Sequence, residues 1–341
     1  MDALQFQAPH QTKGQTTMKA LQFQAAGEAK VVDIDIPEIA ADEVLVAARS
    51  VGVCHSDIEL LEGRYIIPFE YPIIPGHEWS GEVVRTGADV DSFTVGDRVV
   101  GECVIGEDHF GFSISGAAAE FFVAKAAWLH QLPDNVSYTS GALVEPFSCG
   151  YYALLKAGNV NASDVLVVLG AGPIGLGVVA AAAIMGAQTL VVEPSEARRQ
   201  AALQLGAREA VAPDAVEEIL GRLSNGRGAD VVVEATGRPD VMASALEIAG
   251  HGARLVYVGI DVGNAAPARL GLIQSKELSV SGSIGSPGVW EACLRFMAAS
   301  GLDLGSLVTQ EYPAERAIEA LKASRDSATN IKVHMKFEGT L

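Results

Sequence analysis

No charged residue occurs between Val165 and Val192, a stretch long enough to resemble a membrane span. Its internal punctuation points elsewhere. The apolar run Val165-Leu166-Val167-Val168-Leu169 is followed by Gly170-Ala171-Gly172-Pro173-Ile174-Gly175, then an alanine-rich run, then Gly186. A strand, a glycine turn, a helix and a second strand account for this order, all buried between sheet faces.

The glycine run fits GxGxxG, a weak signal alone and a specific one after a strand and before a helix. An acidic residue, Glu193, ends the next strand 23 residues after Gly170, which completes the pattern. Glycines let the backbone approach a pyrophosphate, whose charge then rests at the positive end of a helix. Gly170, Gly172, Pro173, Ile174 and Gly175 are therefore the expected coenzyme contacts. Glu193 can accept hydrogen bonds from both ribose hydroxyls and would repel a 2′-phosphate, which favours NAD over NADP. Arg198, with its neighbour Arg199, leaves NADP as the alternative.

From Asp164 onward the pattern alternates strand and helix. Candidate strands cover 165–169, 189–193, 209–212, 230–235, 253–259 and 278–283. One helix opens at Pro194-Ser195-Glu196, where Ser195 can cap and Glu196 suits the first turn. An amphipathic helix is expected from Trp290 to Ala299, before a last helix–strand segment. Six such strands make a doubly wound parallel sheet, hence an α/β fold. Met18 to about Tyr152 reads differently, as short β segments such as Glu43–Ala48, Gly81–Arg85 and Arg98–Gly101, each bounded by turn residues. Ahead of them, Ala3–Ala8 recurs unchanged as Ala20–Ala25. The polar link between the copies lacks the regions of a signal peptide, so 1–17 is expected to be a disordered extension outside the fold.

Composition narrows the partners. Lys plus Arg number 24 against 42 Asp plus Glu, a formal net charge of −18. Such a polyanion is repelled by phosphate backbones and anionic lipid heads, so neither nucleic acid nor membrane is expected. The four cysteines, Cys54, Cys103, Cys149 and Cys293, form no CxxC pair. That spacing suits a reducing cytoplasm better than a disulfide framework.

A second constellation comprises Cys54-His55-Ser56-Asp57 and, 23 residues after Cys54, His77-Glu78. Thiolate, imidazole and carboxylate together suit Zn²⁺, which takes mixed ligands and keeps a position open in catalytic sites. Taken singly, each has a plainer reading: a buried thiol, a hydrogen-bonded loop histidine, a surface carboxylate. Glu145 is a carboxylate in the apolar segment Val144-Glu145-Pro146-Phe147, where burial calls for a positive partner. No Lys or Arg lies between Lys125 and Lys156, so a metal is the expected partner.

The runs Gly52-Val53-Cys54-His55-Ser56-Asp57, Pro75-Gly76-His77-Glu78-Trp79-Ser80-Gly81 and Gly96-Asp97-Arg98-Val99 resemble the zinc-dependent medium-chain alcohol dehydrogenase family. Leu132–Val136, Gly141–Pro146 and Gly170–Gly175 extend the likeness, which is greatest to the sorbitol (polyol) dehydrogenase branch. The resemblance implies a GroES-like, mostly β catalytic domain at 18–153 and 296–341 around a Rossmann coenzyme domain at 154–295. It implies Cys54, His77, Glu78 and Glu145 at one catalytic zinc, Ser56 beside the substrate oxygen, and Asp57 orienting the histidine. It further implies a homo-oligomer, a dimer or tetramer.

Departures from the family pattern matter too. Between Gly101 and Gly116 many relatives carry four cysteines for a structural zinc; here only Cys103 is present, so one zinc per chain is expected. Glu59 stands where many relatives have a proton-relaying histidine, leaving Glu59, His55 or Glu145 to pass the proton on. Gly285 stands where sorbitol dehydrogenases have a substrate-binding arginine. The function expected is reversible NAD-linked oxidation of a secondary alcohol, such as a polyol or sugar alcohol, to a ketone. Its rivals are a zinc-free NADPH-dependent reductase and a non-catalytic nucleotide-binding protein. Pocket walls are expected from Phe110–Ser115 and Phe121.

Overall fold

The computed structural model describes residues 16–261 and 263–339. The expected coenzyme sheet is present: six strands in the order Glu209–Val211, Gln188–Val192, Val165–Leu169, Ala229–Glu234, Ala249–Tyr257, Ser279–Gly282. Every adjacent pair is parallel. Val165–Leu169 is buried along its whole length, as a central strand covered by helices on both faces must be. The strand order reverses between it and Ala229–Glu234, which opens a crevice at their carboxyl ends, where such folds bind ligands.

The uncharged run thus folds as two buried strands and the helix Pro173–Ile184. Among the described residues no helix is long and apolar enough to cross a membrane. The helix Glu196–Gln204 starts where expected, but the Ser195 hydroxyl makes no capping bond. The Ser195 N–H instead donates to Glu193 Oε1 at 2.9 Å, so a carboxylate from the preceding strand fixes the helix entry.

The other large sheet has seven strands. Glu43–Val53 lies at its centre between Lys332–Lys336 and Glu78–Thr86, both antiparallel to it, and Phe121–Lys125 also pairs with it. The end of the chain therefore returns to the strand that delivers Cys54. The separate hairpin of Thr17–Ala25 and Glu28–Asp35 begins within the supposed extension: Thr17 is paired with Asp35, and the Thr16 carbonyl accepts from Ile36 N–H. Residues 1–15 of that extension lie outside the described residues.

The expected boundaries at 153/154 and 295/296 both fall inside helices, Val144–Lys156 and Trp290–Ser300. These helices pack together, with Phe147 and Phe296 stacked at 6.2 Å and Tyr151 against Phe296 at 5.2 Å. The first also lies close on Pro173–Ile184: a Cβ at Gly150 would come within 2.8 Å of the Ile174 carbonyl oxygen. Glycine at 150 thus allows the helix bearing Glu145 to dock on the helix that follows the glycine turn.

Candidate metal and coenzyme site

Cys54 leaves the central strand and occupies the N-cap of the short helix His55–Leu61. Its N–H donates to Asp57 Oδ2 at 2.8 Å, which ties Asp57 to the start of the helix. His77 directly precedes the strand Glu78–Thr86, whose register sets Glu78 opposite Gly52. A Cβ at Gly52 would lie 2.3 Å from Glu78 Oε2, so this glycine makes room for the carboxylate. His77 and Glu78 are buried, and ligand atoms of Cys54, His77 and Glu78 all lie within 4.8 Å of one another.

The remaining atoms of His77 are also arranged. Asp57 Oδ1 faces its Nδ1 at 3.4 Å, and Ser56 Oγ stands 3.5 Å from its Nε2. The Nδ1 contact misses hydrogen-bond alignment, so both of its atoms are buried without a formal partner. Burial opposes the charged imidazole, but the Asp57 carboxylate and Cys54 outweigh it and raise the His77 pKa well above the usual value. The donor set fits zinc: a sulfur, a nitrogen and an oxygen converge within the span that bonds of about 2.0–2.3 Å require. The carboxylate behind the imidazole is the usual device for fixing its tautomer.

Lys332 was not foreseen from the sequence. Its ammonium is buried and donates to Glu78 Oε1 at 2.7 Å, closely to Glu78 Oε2, and to the Val53 carbonyl at 3.3 Å. Burial would lower the Lys332 pKa, yet Glu78, Cys54 and Glu145 together raise it. The available signal was a lone Lys between Ile331 and Val333 in a strand that buries both faces. Its partner, 254 positions away, could not be read from neighbouring residues.

Glu145 sits half-buried in the first turn of Val144–Lys156 and accepts from the Cys103 thiol at 3.6 Å. Burial raises its pKa; His77 and Lys332 pull it down, and Glu78 pushes it up. The expectation that only a metal could offset its charge is therefore corrected: Lys332 arrives from the far end of the chain. Glu145 is outside the three-residue group whose ligand atoms converge. Of the other proton-passing candidates, His55 is exposed and lies 3.9 Å from Glu59 on the same helix.

The expected pocket walls are partly corrected. Phe110 and Phe121 are fully buried core residues. Phe112, within the expected stretch, reaches the site, its ring tilted on His77 at 4.5 Å, and Tyr65 stacks on Phe112 at 4.4 Å.

At the coenzyme crevice Gly170 adopts φ of 95°, and a Cβ at Gly175 would sit 2.1 Å from the Gly170 carbonyl oxygen. Gly172 is the N-cap of the following helix, with Pro173 in its first turn. Only glycine fits this turn at 175. Glu193 is buried at the end of its strand; its Oε2 accepts from Ala171 N–H at 2.8 Å, tying strand end to glycine turn. Arg198 donates to the Asn330 carbonyl at 3.1 Å and lies 4.0 Å from the Cβ position of Gly172. Arg199 is turned away, donating to the Glu193 and Pro194 carbonyls at 2.7 Å.

A parallel dinucleotide-type sheet joined to a β domain with a thiol–imidazole–carboxylate cluster defines a metal-dependent dehydrogenase class. Residues 40–134 match the alcohol dehydrogenase GroES-like domain, and 173–299 the zinc-binding dehydrogenase domain. Sorbitol dehydrogenase of Bacillus subtilis is 32% identical over 331 residues, covering 89% of this chain and 93% of that protein. D-arabitol-phosphate dehydrogenase of Enterococcus avium is 28% identical, covering 89% and 93%. The solved structure of 2R,3R-butanediol dehydrogenase from Bacillus subtilis superposes with a TM-score of 0.86 at 30% identity, covering 94% of this chain and 100% of that one. The chain belongs to the zinc-dependent medium-chain alcohol dehydrogenase family, in its sorbitol (polyol) dehydrogenase-like branch. It is an oxidoreductase of the alcohol type.

Proposed function

We propose that the protein reversibly oxidises a secondary alcohol, a polyol or related diol, to the ketone with NAD⁺, using one zinc per chain. The observation that carries this reading is the convergence of the ligand atoms of Cys54, His77 and Glu78, with Asp57 behind the imidazole. Cys54, His77 and Glu78 would hold the metal, with Glu145 as a further carboxylate. When bound, zinc supplies Lewis acidity to the alcohol oxygen, and the nicotinamide accepts hydride. The protein's own part is positional. Asp57 holds His77, Ser56 would accept the substrate hydroxyl's proton while passing its own outward to solvent, and the aromatic rings at Phe112 and Tyr65 limit water.

Relatives that act on sorbitol and butanediol support the substrate class. The cytoplasm remains the proposed location, on cysteine usage. Self-association through the Rossmann units is proposed too: the edge strand Ser279–Gly282 is largely exposed, with Val280 and Ile284 open to solvent. The direct test is a screen of secondary alcohols and polyols with NAD⁺ and NADP⁺, read at the reduced-nicotinamide absorbance. Failure to reduce either coenzyme with any alcohol would dispose of the reading.

Coenzyme choice gives a sharper expectation. Glu193 is tied to the glycine turn through Ala171 N–H, which supports its reading as the ribose acceptor, and Arg199 is occupied by backbone carbonyls. Wild type is expected to favour NAD⁺ in kcat/KM. Glu193→Ala should weaken NAD⁺ about tenfold, the loss of roughly one charged hydrogen bond, and narrow the gap to NADP⁺. A wild-type preference for NADP⁺ would show that Arg198 reads a 2′-phosphate.

Glu145→Gln preserves shape and removes charge. A drop in kcat of about 10–100-fold is expected, the usual range for a carboxylate supporting a metal centre, with zinc held more weakly. Unchanged kcat and zinc content would make Glu145 a structural residue only.

A further inference from the structure

Cys103 is the one cysteine between Gly101 and Gly116, and it lies outside the group whose ligand atoms converge. Its position is nonetheless fixed from both sides. Glu102 donates its N–H to the Trp128 carbonyl at 3.2 Å, and its carboxylate meets His130 Nε2 at 2.9 Å. The Cys103 carbonyl accepts from Phe110 N–H at 2.8 Å, which closes the short hairpin of Val104–Ile105 and Asp108–His109. The thiol held in this way donates to Glu145 Oε1 at 3.6 Å.

Among the described residues, that thiol is the one donor within hydrogen-bond distance of the Glu145 carboxylate. Glu78 is placed differently, with the Lys332 ammonium on both of its oxygens. The backbone under Glu145 is fixed: its carbonyl accepts from Ser148 Oγ at 2.7 Å, and Gly150 docks the same helix closely on Pro173–Ile184. What remains free is the side chain, and Cys103 is what holds it. A thiol is a weak donor, but a charged acceptor strengthens the bond. A half-buried carboxylate that loses such a donor gains a reason to turn towards another positive partner.

We propose that Cys103 is a positioning residue: its thiol holds the Glu145 carboxylate off the Cys54–His77–Glu78 cluster and so keeps one metal position open for the alcohol. Four protein ligands close a tetrahedral zinc site, as in structural centres, whereas three leave the position a substrate needs. Glu145 lies outside the converging group while its one bond runs to Cys103, as this role requires. Cys103 itself neither ligates the metal nor exchanges a proton. This inference rests on the zinc dehydrogenase reading and adds what restrains the further carboxylate.

The test uses Cys103→Ala and Cys103→Val, which both remove the donor while valine fills the space, each alone and combined with Glu145→Gln. Circular dichroism checks folding. In competition titrations against a chelating dye, both single variants are expected to bind zinc about fivefold more tightly than wild type, the effect of one ordinary hydrogen bond. KM for 2,3-butanediol should rise by a similar factor and kcat change less, because the alcohol must then displace the carboxylate. With Glu145→Gln in place, neither Cys103 substitution should alter zinc affinity or KM, since the ligand charge it restrains has gone. Infrared spectra of metal-free protein supply a readout independent of zinc and turnover. The S–H band lost in Cys103→Ala should move to higher frequency in Glu145→Gln, as a neutral amide accepts more weakly than a carboxylate. Zinc affinity and KM unchanged in both single variants would overturn the proposal, as would an unmoved S–H band. Effects that persist with Glu145→Gln, or that appear in Cys103→Ala alone, would trace to pocket shape and overturn it too. Loss of zinc in the single variants would make Cys103 a ligand instead. In each of these cases the dehydrogenase reading stands; wild type that binds no zinc would overturn both.

Discussion

Cys54→Ser is expected to abolish zinc binding and lower alcohol turnover by at least about a thousandfold, while coenzyme binding survives. The magnitude follows from what is removed: a thiolate ligand in a centre whose metal supplies several kcal/mol of charge stabilisation. A serine hydroxyl is a poor replacement, because it keeps its proton at neutral pH and cannot offer a soft anion. Separation from coenzyme binding follows from architecture. Cys54 follows a strand of the seven-stranded sheet, whereas Gly170–Gly175 follow a strand of the parallel sheet. Elemental analysis should find one zinc per chain in wild type and none in Cys54→Ser, with NADH fluorescence titrations alike in both. Two tightly held zincs in wild type would refute the count; full turnover in Cys54→Ser would refute the site.

Features carried by local pattern were legible in the sequence. The strand–glycine–helix unit around Gly170 could be read because each of its residues answers to a neighbour a few positions away. The pairing of Asp57 with Cys54 is similarly local, three residues apart at the start of one helix. What escaped the sequence depends on strand register across the whole chain. Lys332 meets Glu78 only because Lys332–Lys336 and Glu78–Thr86 flank the same central strand. Ser195 shows the converse: its residue type predicts a capping side chain, but its hydroxyl caps nothing, and the helix entry is tied through the Ser195 N–H to the buried Glu193 carboxylate. Phe112 fell within the expected wall Phe110–Ser115, but Tyr65, stacked on it, lacked any sequence signal, since a loop's course and not its composition decides which rings meet.

The pairing of Lys332 with Glu78 leads to an expectation about stability that differs from a simple loss of function. Both groups are buried, and removing one partner of a buried pair leaves an uncompensated charge, with a cost of about 3–5 kcal/mol. Lys332→Met in metal-free protein is therefore expected to melt well below wild type. Zinc should restore much of that loss, because a divalent cation beside Glu78 takes over the role of the missing ammonium. The stabilisation by zinc should accordingly be larger in Lys332→Met than in wild type. The double variant Lys332→Met/Glu78→Gln removes both charges and should recover metal-free stability, since a neutral pair avoids the buried charge that the single variant strands. Recovered stability would come without recovered zinc affinity, because the ligand carboxylate has gone. Thermal melts of the wild type, both single variants and the double variant, each with chelator and with zinc, decide the matter. If Lys332→Met melts with wild type in chelator, the ion pair contributes nothing to the fold. If zinc stabilises wild type and Lys332→Met equally, the lysine and the metal do not share Glu78.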